Sequence, residues 1–190
     1  MAPEWIVGTD GKKVTYSTNK NGIIWSKNAS KDTREIGNAM LLTPDGKKQL
    51  NKLIHSDSKI HLKLSNETKI TTIKDPQTGK EQKDYLFGIT IPKTVFKNPD
   101  NTYDVKEQTI IIYKGTITEG IKIDSREKGL SVDEGIGAVA GHESVHAIDK
   151  AVINKTYGDK NYNPETKPIE MENKIAAESR MINAILNTLP

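Results

Sequence analysis

Polar and apolar positions alternate over Lys59-Ile-His-Leu-Lys-Leu-Ser65, the period-2 mark of a strand with one buried face. Two further runs rich in β-branched residues, Asp84 to Ile91 and Gln108 to Lys114, read as strands. Lys13 to Ser17 and Gly22 to Ser26 flank an Asn21-Gly22 turn signal and predict a β-hairpin. Thr9-Asp-Gly11, Asp75-Pro-Gln-Thr-Gly79 and Asn98-Pro-Asp-Asn101 read as exposed turns. Ser30 and Asp32 can cap a helix running to about Leu42. Thr43-Pro44 places an N-cap before a first-turn proline, which predicts a helix to about His55. Ser131-Val-Asp-Glu134 has the form of a capping box. It is followed by Ile136, Val139, Ala140, Val145, Ala147 and Ile148, with no proline until Pro164, so the expected helix spans about Ser131 to Val152. A polar loop from Asn154 to Asn163 and a last helix reaching Leu186 complete the pattern.

Within the Ser131 helix lies His142-Glu-Ser-Val-His146, an H-E-x-x-H pentapeptide holding two of the chain's four histidines. Residues four apart on a helix share a face, so both imidazoles can point at one metal ion. Zinc suits such a pair, because it takes imidazole nitrogens and a carboxylate and leaves a fourth position for water. Glu143 is placed to take the proton of that water, as a general base. Gly135, Gly137 and Gly141 each cost helix propensity, about 1 kcal/mol relative to Ala. Their presence predicts close packing of this helix against other elements.

Two histidines alone hold zinc weakly, so a third protein ligand is expected. The motif is not extended to H-E-x-x-H-x-x-G-x-x-H, since Asp149 and Val152 occupy the last two places. The candidates are Glu165, Glu170, Glu172 and Glu178, with Glu165 favoured because the loop before it can turn the chain back onto the motif. Glu165 and Glu172 share a helical face, so Glu172 could orient one histidine from behind. Against Glu165 stands Pro168, which can mark the start of the last helix, and Glu178 lies nearest the stripe Met171, Ile175, Ile182 and Leu186. Asp149 is one turn past His146. Tyr157 and Tyr162 are candidate oxyanion donors. His55 and His61 read as ordinary helix-end and strand residues.

Composition narrows the picture. The 190 residues contain no cysteine, which excludes disulfides, thiolate-bound zinc and thiol catalysis. Only two Trp and two Phe are present beside six Tyr, so the core must be aliphatic. The net charge of +3 comes from lysines interleaved with acids, a solvated surface with no nucleic-acid footprint. Met1 to Lys13 lacks the basic and apolar regions of a signal peptide, and no run approaches the ~20 apolar residues that span a bilayer. The length fits one domain over 1–190, with 1–28 as a short β-hairpin extension.

Gly141-His-Glu-Ser-Val-His-Ala147, the Lys/Asn/Asp-rich stretch after it, and Glu165-Thr-Lys-Pro-Ile-Glu-Met-Glu-Asn-Lys-Ile175 together resemble the zincin-type toxin domains at the C-termini of bacterial RHS-repeat (polymorphic toxin) proteins. Trp5-Ile-Val-Gly-Thr-Asp-Gly-Lys12 is similar to the entry of such a module. The resemblance covers about 45 residues firmly. Pro168 stands where those domains carry a small residue, which leaves the third ligand open among the four glutamates. The resemblance implies an α+β zincin-like fold, a mixed sheet beside the motif helix, and an edge strand lining the cleft. It implies a zinc metallopeptidase toxin acting on a protein or peptide, delivered into a target cell on a larger carrier and countered by an immunity protein. The competing expectations are a zinc amide hydrolase acting on cell-wall peptide, and a binding module whose motif has lost its metal.

Overall fold

The computed structural model describes residues 5–20, 22–74, 79–123 and 126–188, and its elements are of the α+β class. A short hairpin, β1 (Tyr16–Asn19) and β2 (Gly22–Trp25), leads into α1 (Lys31–Met40) and α2 (Pro44–Ile54). Then come β3 (Lys59–Ser65), β4 (Ile70–Lys74), β5 (Glu81–Tyr85), β6 (Gly88–Lys97) and β7 (Tyr103–Tyr113). The chain closes with α3 (Lys114–Gly120), α4 (Val132–Ile148), α5 (Lys150–Gly158) and α6 (Thr166–Leu186).

The helix starts follow their caps. Ser30 accepts from the Thr33 amide, and Thr43 accepts from the Gly46 amide just behind Pro44. At α4, Ser131 and Glu134 make both bonds of a capping box. The sheet that positions the site has the order β3-β7-β6, with β7 central, β3 parallel to it and β6 antiparallel at the edge. Ile110 and Ile112 of β7 turn toward the helices and are fully buried in the main core with Ile36, Met40, Leu50, Leu53 and Ile136. From 5–28, Ile6 and Val14 are also fully buried in that core, and Ile6 bridges to Ile60 on β3.

α4 is buried on every side from Glu134 to Val145. A helix apolar all round belongs inside a core, and its glycines explain how neighbours get so close. A Cβ at Gly137 would lie 2.6 Å from the Ala39 carbonyl oxygen, and one at Gly135 would lie 2.7 Å from Ile117. At Gly141 a Cβ would collide with the Ile175 side chain of α6.

Several boundaries depart from the sequence reading. The helix expected over Ser131 to Val152 breaks at Asp149, whose carboxylate accepts from the Ala151 and Val152 amides and so caps a new helix, α5. Asn154 to Gly158, expected as loop, is the end of that helix. The strand expected over Asp84 to Ile91 is two strands. At Leu86 and Phe87 the backbone changes partner, from Lys69 to Tyr113, so β5 pairs with β4 while β6 joins β7. β6 continues through Pro92 to Lys97, with a bulge at Pro92 to Val95. An edge position is where a strand tolerates proline. The first hairpin strand begins at Tyr16, three residues later than expected. β4 and α3 were not anticipated. The turn at Asn98–Asn101 is present, with Asn101 at φ 64. The turn expected over Asp75 to Gly79 lies, except for Gly79, outside the described residues, as does Asn21. Among the described residues no helix is long and apolar enough to cross a membrane.

Candidate metal centre

His142 and His146 sit one turn apart near the C-terminal end of α4, and their Nε2 atoms are 3.2 Å apart. Glu165 immediately precedes α6, and the turn after α5 carries its carboxylate onto both rings. Its Oε2 lies 3.1 Å from His142 Nε2 and its Oε1 lies 3.4 Å from His146 Nε2. Zinc–nitrogen bonds of about 2.0–2.1 Å put the edges of a tetrahedron near ~3.3 Å. The three separations match those edges, so His142, His146 and Glu165 could hold a metal ion together. Pro168 does not prevent this: it falls in the first turn of α6, where an absent amide hydrogen leaves no bond unmade.

The other glutamates are occupied elsewhere. Glu172, one of the buried polar residues of α6, places Oε2 3.1 Å from His142 Nδ1, the ring nitrogen facing away from His146. It accepts there only if Nδ1 carries the hydrogen, which leaves Nε2 as a lone pair for a metal. Arg126 Nε approaches the same oxygen at 3.2 Å, and the buried Glu127 lies against the carboxyl. Glu178 accepts from the Asp45 amide at the start of α2, 3.0 Å away. Glu170 is exposed and lines a separate hollow with Lys167 and Lys174. Asp149, beyond capping α5, pairs with Lys167.

The electrostatics are those of a tightly coupled cluster. Burial alone would lower the His142 pKa, but the hydrogen bonds that the ring donates to Glu165 and Glu172 outweigh it and push the imidazole up to about 9 in the metal-free protein. The same bonds, to His142 first and His146 second, hold the Glu165 carboxyl far below the usual range. Glu172 is penalised by burial, yet His142, Glu127 and Arg126 bring it below its ordinary value. Glu143 goes the other way: burial raises it, against the pull of His142 and of its bond from Thr90.

These groups open into one cleft of about 390 Å³. Its lining includes Tyr85, Leu86, Phe87 and Gly88, leading into edge strand β6, and Ile153, Thr156 and Tyr157 of α5. Glu143 lines it together with the two histidines. Of the two candidate tyrosines, Tyr157 lines the cleft, its ring tilted against that of Tyr103 with centroids 5.7 Å apart, while Tyr162 stands under Lys155 and does not line it. His55 ends α2, and His61 lies on β3 beside Glu107. Sequence reasoning missed Thr90, which hydrogen-bonds Glu143, and Arg126. Only Gly88 carried a signal, since a glycine inside a strand pattern often marks a close approach.

No protein-family model, no curated protein and no solved structure matches this chain.

Proposed function

We propose that this protein is a zinc-dependent metallopeptidase of zincin-like fold, acting as a toxin delivered into a target cell on a larger carrier. The observation that carries the enzymatic reading is the spacing of His142, His146 and Glu165 at tetrahedral edges, with the buried Glu143 beside them in an open cleft. The likeness of the motif and its Glu165–Ile175 segment to polymorphic toxin domains supplies the biological context.

When bound at these three residues, a zinc ion would polarise the scissile carbonyl and make water more acidic. The chain's own residues do the rest. Glu143 takes the proton of the attacking water and returns it to the departing amine nitrogen. Burial favours this role, because it raises the Glu143 pKa and so makes the carboxylate a stronger base than an exposed one. Glu172 fixes the tautomer of His142. Tyr157 stands on the cleft wall, where a phenol can donate to the carbonyl oxygen as charge develops. Edge strand β6 offers backbone pairing to an extended peptide.

The test joins metal analysis to proteolysis. About one zinc per chain is expected, lost in His142→Ala/His146→Ala. Glu143→Gln should keep its zinc and its fold while cleavage of a denatured protein substrate, or toxicity on expression, drops at least ~100-fold. A zinc-loaded Glu143→Gln protein with undiminished activity would remove Glu143 from the mechanism. Cleavage of muropeptides but of no protein would move the substrate to cell-wall peptide.

A further inference from the structure

Two residues of β6 are set against Glu143 in a way that metal binding does not require. Gly88 and Thr90 are two apart on the strand, so they face the same side of the sheet. They lie opposite Ile112 and Ile110 of β7, whose side chains are buried under the helices. Thr90 Oγ1 is 2.8 Å from Glu143 Oε2 and 3.0 Å from the Glu143 main-chain oxygen. A hydroxyl has one hydrogen to give. The shorter contact is to the carboxylate, and a bond to an ionised acceptor is the stronger one. At Gly88 a Cβ would lie 2.9 Å from Glu143 Cγ, from Glu143 Oε1 and from Val139 Cγ1. Gly88 is not among the glycines of positive φ, so the backbone does not demand glycine there. The space above Glu143 does.

We propose that Thr90 and Gly88 are positioning residues that hold the Glu143 carboxylate in one orientation, Oε2 pinned to the strand and Oε1 left free to act as the base. This rests on the hydrolase reading above. In the attack, a water O–H bond breaks and its proton passes to Oε1; the pair left on the water oxygen bonds to the carbonyl carbon, and the C=O π pair moves onto the carbonyl oxygen until the carbonyl re-forms. As the C–N bond breaks, the proton leaves Oε1 for the amine nitrogen. Thr90 keeps its own hydrogen throughout, bonded to Oε2, so the carboxyl does not rotate between the two transfers. A carboxyl torsion is otherwise broad and two-fold, and a buried one without this tether would exchange its oxygens.

The test uses zinc-loaded protein and acetohydroxamate, a small metal chelate whose acidic proton a neighbouring carboxylate must accept. Wild type and Thr90→Ser are expected to bind it alike. Thr90→Val should bind about tenfold more weakly, the loss of one charge-assisted hydrogen bond. Zinc affinity, from chelator competition, should be the same in all three. A crystal structure of Thr90→Val should show the carboxylate turned away from β6. Gly88→Ala, which crowds Oε1, should reproduce the loss if Thr90→Val fails to fold. An unmoved carboxylate in Thr90→Val overturns the proposal, and so does undiminished acetohydroxamate binding. A wild type that holds zinc but binds no acetohydroxamate counts against the hydrolase reading, and the crystallographic comparison then decides on Thr90 by itself.

Discussion

Glu165 and Glu172 both touch His142, but at opposite ring nitrogens, and that difference separates their effects. Glu165 shares the metal-facing side with His146, so Glu165→Ala is expected to abolish tight zinc binding. Glu172 acts through the ring, so Glu172→Ala should weaken zinc about 10–100-fold. Glu178→Ala should leave affinity unchanged while costing about 1 kcal/mol of stability, as the amide it satisfies at the start of α2 loses its acceptor. Chelator competition and thermal melts on the three proteins measure this, and a Glu165→Ala protein with wild-type affinity would dissolve the triad. His142 adds a pH dependence. Its folded pKa of about 9 lies above the ordinary histidine value, so its contribution to metal-free stability is complete below about pH 6.5. That contribution, at most about 3 kcal/mol, shrinks as pH rises and is gone beyond about 9. Zinc must displace the same proton, so apparent zinc affinity should climb through this window. Metal-free melts from pH 6 to 10 that show no fall would mean that His142 is already neutral.

α4 and α6 are the two elements that bring the cluster together, and at Gly141 the Ile175 side chain of α6 fills the space that a Cβ on α4 would take. Gly141→Ala would gain helix propensity and lose more in packing. The expected net loss is about 1–3 kcal/mol, with weaker zinc binding because α6 carries Glu172 and is entered from Glu165. Parallel thermal melts and zinc titrations check it; an unchanged or raised melting temperature would show that Ile175 can swing aside freely. Close packing at the α4 glycines was legible in the sequence because glycine in a helix interior has a cost that something must offset. The caps at Ser30, Thr43 and Ser131 were legible because capping is chemistry between near neighbours. The break at Asp149 was not, because an aspartate after an apolar stripe suits a solvated helix face as well as it suits a cap. The switch of partners at Leu86 and Phe87 left little trace either: aromatic and aliphatic residues that suit a strand run on from Tyr85 to Phe87 and from Ile89 to Ile91, and only the pairing of distant strands divides them. Glu165 was legible as a candidate by loop length, but its choice over Glu178 needed the fold of α6, which points Glu178 at Asp45. Tyr157 and Tyr162 are both polar-loop tyrosines in sequence, and α5 separates them in space.

Across the whole molecule, β7 has two neighbours acquired at very different distances along the chain. Lys97 pairs with Tyr103 across a short turn, whereas Lys59 pairs with Glu107 after a long excursion. Closing the long loop carries the larger entropic cost, and parallel pairing returns less per residue. The β6–β7 ribbon should therefore form early in refolding, and β3 should dock late, together with the helices that cover Ile110 and Ile112. The tether between Thr90 and Glu143 spans the same late step, because one partner lies on the early ribbon and the other on α4. Pulse-labelled hydrogen exchange during refolding would then protect amides of β6 and β7 before those of β3. On the proposed delivery by a carrier, a chain that crossed a membrane unfolded would arrive without a working cleft. Its chemistry would stay silent in transit, switched on only when the slowest strand finds its place.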